Sequence, residues 1–210
     1  MLPEAETAEE RRRFEGIVLR EVARLEGLLS AMREVGSIDA QMESEPARPV
    51  VLGELVEAVV EGYRVRGSRG SKGGGSQAGA VPVDLTLPAR PLAVEASPER
   101  LAQVVENLLD NAVSFTAAGG RVHLAVEPAG GAARLVVEDE GPGIAEEHLD
   151  RIFDRFFTYR GDRRDGHTGL GLAIVKAVVE GYGGSIRAVN RPEGGARFEV
   201  TLPLAEPRLR

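Results

Sequence analysis

The sequence predicts an α+β chain: helices layered on an antiparallel-rich sheet over about residues 46–210, preceded by a coiled-coil-like helix within residues 1–45. Three observations predict it. Short apolar runs at 121–127 and 133–138 flank Gly130-Gly131, and runs at 185–190 and 197–202 flank Gly194-Gly195, as strands joined by tight turns do. Segments 98–115 and 172–180 carry apolar residues at helical spacing. Near the N-terminus, Phe14, Val18, Val22, Leu25, Leu29 and Met32 recur at steps of four, four, three, four and three residues, the pattern of a coiled-coil seam.

Each element follows in order. Over residues 8–36 the seam is widened by Ile17, Leu28 and Val35, while Glu and Arg fill the outer face. So broad a stripe expects a partner, either a second helix in a bundle or dimer or the chain's own domain. Pro46 and Pro49 place a boundary near Glu45. Residues 52–63 form an amphipathic helix with Leu55, Val56, Val59 and Val60 inward, and 67–80 is a glycine- and serine-rich flexible loop by composition. Strands follow at 83–87 and 92–96. Ser97 is placed to cap, and Pro98 to open, the helix that runs to Phe115. Residues 146–153 read as helical, and Gly181-Tyr182-Gly183-Gly184 stops the helix at 172–180. No internal repeat is seen.

Composition narrows the functions. The 210 residues are 42% hydrophobic and 28% charged, ordinary for a soluble globular protein. A net charge of −7 argues against nucleic-acid binding, since no basic excess can neutralise phosphates. With no cysteine, disulfides, thiolate catalysis and cysteine zinc sites are excluded, and His123, His148 and His167 lack metal-ligand spacing. No apolar run approaches the ~20 residues that span a bilayer, and the acidic N-terminus has no signal-peptide core. The chain is therefore expected to be cytoplasmic without membrane contact of its own, although a longer parent could be anchored in the inner membrane.

The chemistry-bearing residues lie in four stretches. On helix 98–115, at about 100° per residue, Leu101, Val105, Leu108, Ala112 and Phe115 share a core face, with Gln103, Asn107, Asn111 and Ser114 in a polar stripe beside it. Two half-sheltered carboxamides one turn apart can offer oxygens to Mg²⁺ and donors to phosphate. Next, the apolar run Val137-Glu138-Asp139 ends in Glu140-Gly141-Pro142-Gly143-Ile144. A buried carboxylate there can accept from an exocyclic amine such as adenine N6, and the glycines let a flat ring approach the backbone. Third, the aromatics Phe153, Phe156 and Phe157 precede a charged loop whose Arg160, Arg163 and Arg164 can reach a polyphosphate. Last, Gly166-His167-Thr168-Gly169-Leu170-Gly171-Leu172 opens directly into a helix, whose free amides suit an anion. It is neither a P-loop, lacking Lys-Ser/Thr after Gly171, nor a Rossmann turn, with Ile174 where a third glycine is required.

In this order and over about residues 50–205, these segments resemble the ATP-binding domain of sensor histidine kinases, within the gyrase/Hsp90/histidine kinase/MutL ATPases. Asn107 and Asn111 match the asparagine box; Asp139, Gly141 and Gly143 the first glycine box; Phe153, Phe156 and Phe157 the phenylalanine box; Gly169 and Gly171 the second glycine box. Gly194-Gly195 is similar to the last glycine turn. The resemblance implies a two-layer α/β sandwich of the Bergerat type, a mixed and mostly antiparallel sheet under helices. It makes Asn111 a Mg²⁺ ligand and Asp139 the adenine anchor. ATP contacts are expected from Asn107, Asn111, Asp139, Gly141, Gly143, Ile144, Phe156, His167, Thr168, Gly169, Leu170, Gly171 and Leu172, and catalytic roles from Asn107, Arg160, Arg163 and Arg164.

Three departures stand out. Ser114 occupies a position where many members carry a basic residue, His167 one where glycine is frequent, and no phosphoacceptor run of the His-Glu/Asp-x-x-Thr-Pro type occurs. The N-terminal helix, through Arg20-Glu21-Val22-Ala23-Arg24-Leu25, instead resembles the second helix of the dimerisation and phosphotransfer hairpin. Related hydrolases commonly have a Glu base where Asn107 stands; an amide cannot take a proton, which favours transfer over hydrolysis. The reading is an ATP:protein-histidine kinase core that phosphorylates a histidine outside this chain for relay to a response regulator, homodimeric through the N-terminal helix in its parent. The alternatives are a non-catalytic nucleotide-sensing module and, less favoured by that helix, an anti-sigma-type serine kinase.

Overall fold

The computed structural model describes residues 14–16, 18, 22, 45–70, 81–158 and 169–205. Residues 14–16, 18 and 22 are helical, with Phe14, Val18 and Val22 exposed. The remainder of the predicted N-terminal helix lies outside the described residues.

From Glu45 onward the elements are β1 (Arg48–Val51), α1 (Leu52–Gly70), β2 (Val83–Thr86), β3 (Ala93–Ala96), α2 (Pro98–Phe115), β4 (Val122–Ala129), β5 (Ala132–Asp139), a 3₁₀ turn (Glu146–His148), α3 (Gly171–Gly181), β6 (Ser185–Asn190) and β7 (Ala196–Pro203). A five-stranded sheet has the order β2-β4-β5-β7-β6, in which β2 runs parallel to β4 and every other pair is antiparallel. Strands β1 and β3 form a separate antiparallel pair.

Strand alternation builds the two layers. Val122, Leu124 and Val126 of β4, Leu135 and Val137 of β5, and Phe198, Val200 and Leu202 of β7 point to one face. That face meets Leu52, Val56 and Val60 of α1, Leu101, Val105 and Leu108 of α2, and Val175, Val178 and Val179 of α3, all buried in one core. The opposite face carries ions. Arg197 bridges Glu138 at 2.8 Å and Glu199 at 2.7 Å, and Arg187 meets Glu199 at 2.6 Å. Burial raises the Glu199 carboxyl's pKa, but the two guanidiniums outweigh it and hold the group below its usual range.

Helix α2 forms as its sequence requires. The Ser97 hydroxyl accepts from Arg100 N–H, and Pro98 sits in the first turn. Its apolar face is buried, although Phe115 at the end is only half-buried.

Strand β1 was not anticipated; its proline is tolerated because β1 lies at an edge of its sheet, pairing only with β3. Two expectations are corrected. Helix α1 runs to Gly70, into the loop expected at 67–80, with Arg64 fastened to the Val83 carbonyl at 2.6 Å. Residues 146–153 are not one helix. After the 3₁₀ turn, bonds such as Arg151 N–H to His148 O and Asp154 N–H to Arg151 O make successive tight turns. These bring Ile152 and Phe153 inward together; Phe153 stacks edge-on against Phe198, with 6.5 Å between centroids. Among the described residues, no helix is long and apolar enough to cross a membrane.

Candidate nucleotide-binding site

The site lies where α2, the end of β5, the start of α3 and the β6–β7 turn converge. Asp139 closes β5 and is 2% exposed. Its Oδ1 accepts from Gly141 N–H at 2.8 Å and from Ala196 N–H at 3.1 Å. Oδ2 receives no hydrogen bond among the described residues. Burial raises the Asp139 pKa, opposed by the Ala196 and Gly141 amides and by the Arg191 guanidinium; the net shift is upward. The Arg191 guanidinium also donates to the Asp139 carbonyl at 2.8 Å.

The first glycine turn is pressed from two sides. A Cβ on Gly141 would lie 2.7 Å from the Phe115 carbonyl oxygen, so only glycine lets the end of α2 touch the turn. Gly143 has φ +78°, and a Cβ there would stand 2.8 Å from Asn190 Oδ1. The Asn190 carboxamide holds Ile144 at two points, accepting from its N–H and donating to its carbonyl, each at 2.7 Å. Ile144 itself is half-buried.

On α2, Asn107 and Asn111 are half-buried along the predicted stripe. Asn107 Oδ1 is the nearest group to a Cβ imagined on Gly171, at 3.4 Å, so the second glycine motif closes over the asparagine face. Asn107 Nδ2 is buried and has no acceptor among the described residues. Such an orphan donor is costly unless something meets it. The Ser114 hydroxyl turns back onto the Asn111 carbonyl at 2.8 Å.

Helix α3 starts without a side-chain cap, and its first amides, like those of any helix, have no intrahelical acceptor. Leu170, at the start of the helix, is buried in the core. Leu172 is half-buried against the same core. Phe156 is 51% exposed with φ +65°, a strained backbone for a large side chain, and its N–H donates to the Gly169 carbonyl at 2.9 Å. Phe157, by contrast, is half-buried, edge-on to His148 and beneath Arg151. Arg160, Arg163, Arg164, His167 and Thr168 lie outside the described residues.

The structure thus brings Asn107, the Gly141–Gly143 turn, Asp139 and Gly171 around α2, and adds three groups that sequence reasoning missed. Asn190, Arg191 and the Ala196 amide act on Asp139 and Ile144 across long sequence separations. The Gly194-Gly195 pair was the one local signal that this turn mattered.

A buried acceptor beside a glycine turn, a carboxamide stripe and an uncapped helix start are features suited to a nucleotide without a P-loop. Sequence comparison agrees. Residues 96–206 match the histidine kinase-, DNA gyrase B-, and HSP90-like ATPase family. The sensor protein ChvG of Agrobacterium fabrum is 33% identical over 98% of this chain. The sensor histidine kinase component HK1 of Mycobacterium tuberculosis is 38% identical over 61% of this chain and 76% of its own length. The solved structure of full-length ShkA in complex with AMPPNP is 28% identical with a TM-score of 0.71, covering 96% of this chain and 40% of that one. The chain belongs to this ATPase family and, within it, to the sensor histidine kinases. It spans 35% of the length of ChvG.

Proposed function

We propose that this chain is the ATP-binding core of a two-component sensor kinase, and that it donates the ATP γ-phosphoryl group to a histidine for relay to a response regulator. The observation that carries the proposal is Asp139: a nearly buried carboxylate with Oδ1 engaged by two backbone donors. Its other oxygen is the natural acceptor for an exocyclic amine, which selects adenine over a base presenting a carbonyl.

The remaining groups suit the rest of ATP. The orphan Asn107 Nδ2 and the open amides of α3 supply donors for the polyphosphate. No three His, Cys, Asp or Glu side chains converge on a metal-sized gap among the described residues. As the family resemblance implies, Mg²⁺ would be held by the Asn111 carboxamide oxygen together with phosphate and water oxygens, as an ion that keeps much of its hydration prefers. Bound there, Mg²⁺ would neutralise charge on the transferring group. The protein's own contribution is to position: Asp139 fixes the base, Asn107 and the α3 amides align the phosphates, and Arg160, Arg163 and Arg164 meet the charge that develops. The acceptor nitrogen attacks the γ-phosphorus as the bond to ADP breaks. Asn107, being an amide, activates no water, so transfer outruns hydrolysis.

Homodimerisation through residues 8–36 and a cytoplasmic location belong to the same proposal; the exposed Phe14, Val18 and Val22 support the first. The test is label transfer from γ-labelled ATP, with Mg²⁺, to a separately supplied phosphoacceptor hairpin. Transfer lost with Asn111→Ala and with Asp139→Asn is expected. Undiminished transfer by either variant would remove the assigned roles.

A further inference from the structure

We propose that Asn190 and Arg191, where β6 ends, are positioning residues for the adenine anchor: they hold the Asp139 and Ile144 main chains so that the second carboxylate oxygen meets the exocyclic amine squarely. The inference rests on the reading of Asp139 as that anchor.

The geometry is two-sided. Asn190 is exposed, yet both ends of its carboxamide are spent on one residue, taking the Ile144 N–H and giving to its carbonyl at 2.7 Å each. A side chain thereby does for Ile144 what a neighbouring strand would do, and it pins the far end of the glycine turn. Arg191 holds the near end through its 2.8 Å bond to the Asp139 carbonyl. The turn is itself braced, by Arg191 N–H to Gly195 O at 3.0 Å and Gly194 N–H to Arg191 O at 3.1 Å. From it Ala196 N–H reaches Asp139 Oδ1 at 3.1 Å. Asp139 is thus gripped at carbonyl and carboxylate by one short turn. The fit is close: a Cβ on Gly195 would fall 1.9 Å from the Asp139 carbonyl oxygen.

The Asn190 amide fills no core space, so its use is to set main-chain position. The Arg191 cation also draws Asp139 toward the ionised form that burial opposes. Only that form accepts from an amine through either oxygen.

The test is calorimetry of the whole chain with Mg-ATP and with Mg-ITP, whose base carries a carbonyl in place of the amine. Wild type should prefer ATP. Asn190→Ala and Arg191→Ala should each weaken ATP about tenfold, the scale of one or two lost hydrogen bonds, and leave ITP within about threefold. Arg191→Lys, which keeps the charge, should recover part of the loss. Asn190→Asp keeps the acceptor for the Ile144 N–H and should show a smaller effect in the same direction, which serves if the alanine variant fails to fold. Equal weakening of ATP and ITP, or no weakening of either, overturns the proposal. Asp139→Asn separates the two readings. If it erases the preference while Asn190→Ala and Arg191→Ala do not, the anchor stands and the positioning role falls. If Asp139→Asn leaves the preference intact, the anchor reading itself has failed.

Discussion

Gly194 and Gly195 offer a controlled comparison, because they share a backbone conformation and differ in space. Their φ values are +98° and +88°. An alanine at 194 would meet nothing within 4 Å, whereas at 195 its Cβ would sit 1.9 Å from the Asp139 carbonyl oxygen and 3.2 Å from Oδ1. Gly194→Ala should therefore cost only the strain of a positive φ, about 1–2 kcal/mol. Gly195→Ala carries the same strain and must also part β5 from the turn. That breaks the 3.1 Å bond from Ala196 N–H to Asp139 and the 2.8 Å bond from Arg191, each worth about 1 kcal/mol. Its total should reach about 3–4 kcal/mol. Urea unfolding at constant m gives both numbers, and ATP titration should show binding lost at 195 but retained at 194. Equal destabilisation by the two alanines would refute the close approach on which the estimate is built.

Other outcomes follow from the same contacts. Asp139→Asn keeps an oxygen for the Gly141 and Ala196 amides but turns a donor toward the amine, so ATP affinity should fall by about 1.5–3 kcal/mol. Its stability should hold or rise. Because the folded-state pKa of Asp139 is raised, ionisation at neutral pH costs the folded state. The variant's advantage in Tm should be largest near neutrality and shrink as pH falls through the raised folded-state value of Asp139 toward the ordinary carboxylate range. Phe156→Gly should leave stability unchanged or raise it by up to ~1 kcal/mol, since φ +65° suits glycine, while ATP titration shows weaker binding. Arg100, 8% exposed, forks onto Glu45 at 3.1 and 3.2 Å and meets Gln103 at 3.1 Å. Arg100→Ala should cost about 1–3 kcal/mol by denaturant midpoint, the half-exposed Glu45 moderating the loss, and Arg100→Lys should recover little of it.

Helix α2 was legible because its Ser97 cap and its apolar period are local in sequence, and strand β6 because it is a short run directly after Gly183-Gly184. The burial of Asp139 was legible too, since an apolar strand ran into it. What sequence could not display was who holds that carboxylate. The Ala196 amide, the Arg191 guanidinium and the Asn190 clamp arrive by strand pairing from far along the chain, and nothing in Val189-Asn190-Arg191 signals a partner at 139 or 144. Strand β1 was hidden because Pro49 weakens a strand signal, and only its place at a sheet edge accommodates that proline. The 146–153 stretch misled because its apolar residues are close enough to mimic a helical period, while tight turns serve the packing of Phe153 on Phe198 better.

The bond between Asp139 and Ala196 also orders events in time. The Asp139 side of the proposed purine pocket is incomplete until β7 exists, because the last contributors are the last elements of the sheet to be synthesised. A nascent or clipped chain ending before Asn190 would carry the asparagine helix and both earlier glycine motifs, and still lack the Arg191 and Ala196 contacts that hold the proposed base anchor. Nucleotide should accordingly rescue only finished molecules, raising their melting temperature with ligand concentration and leaving truncated ones to the protease.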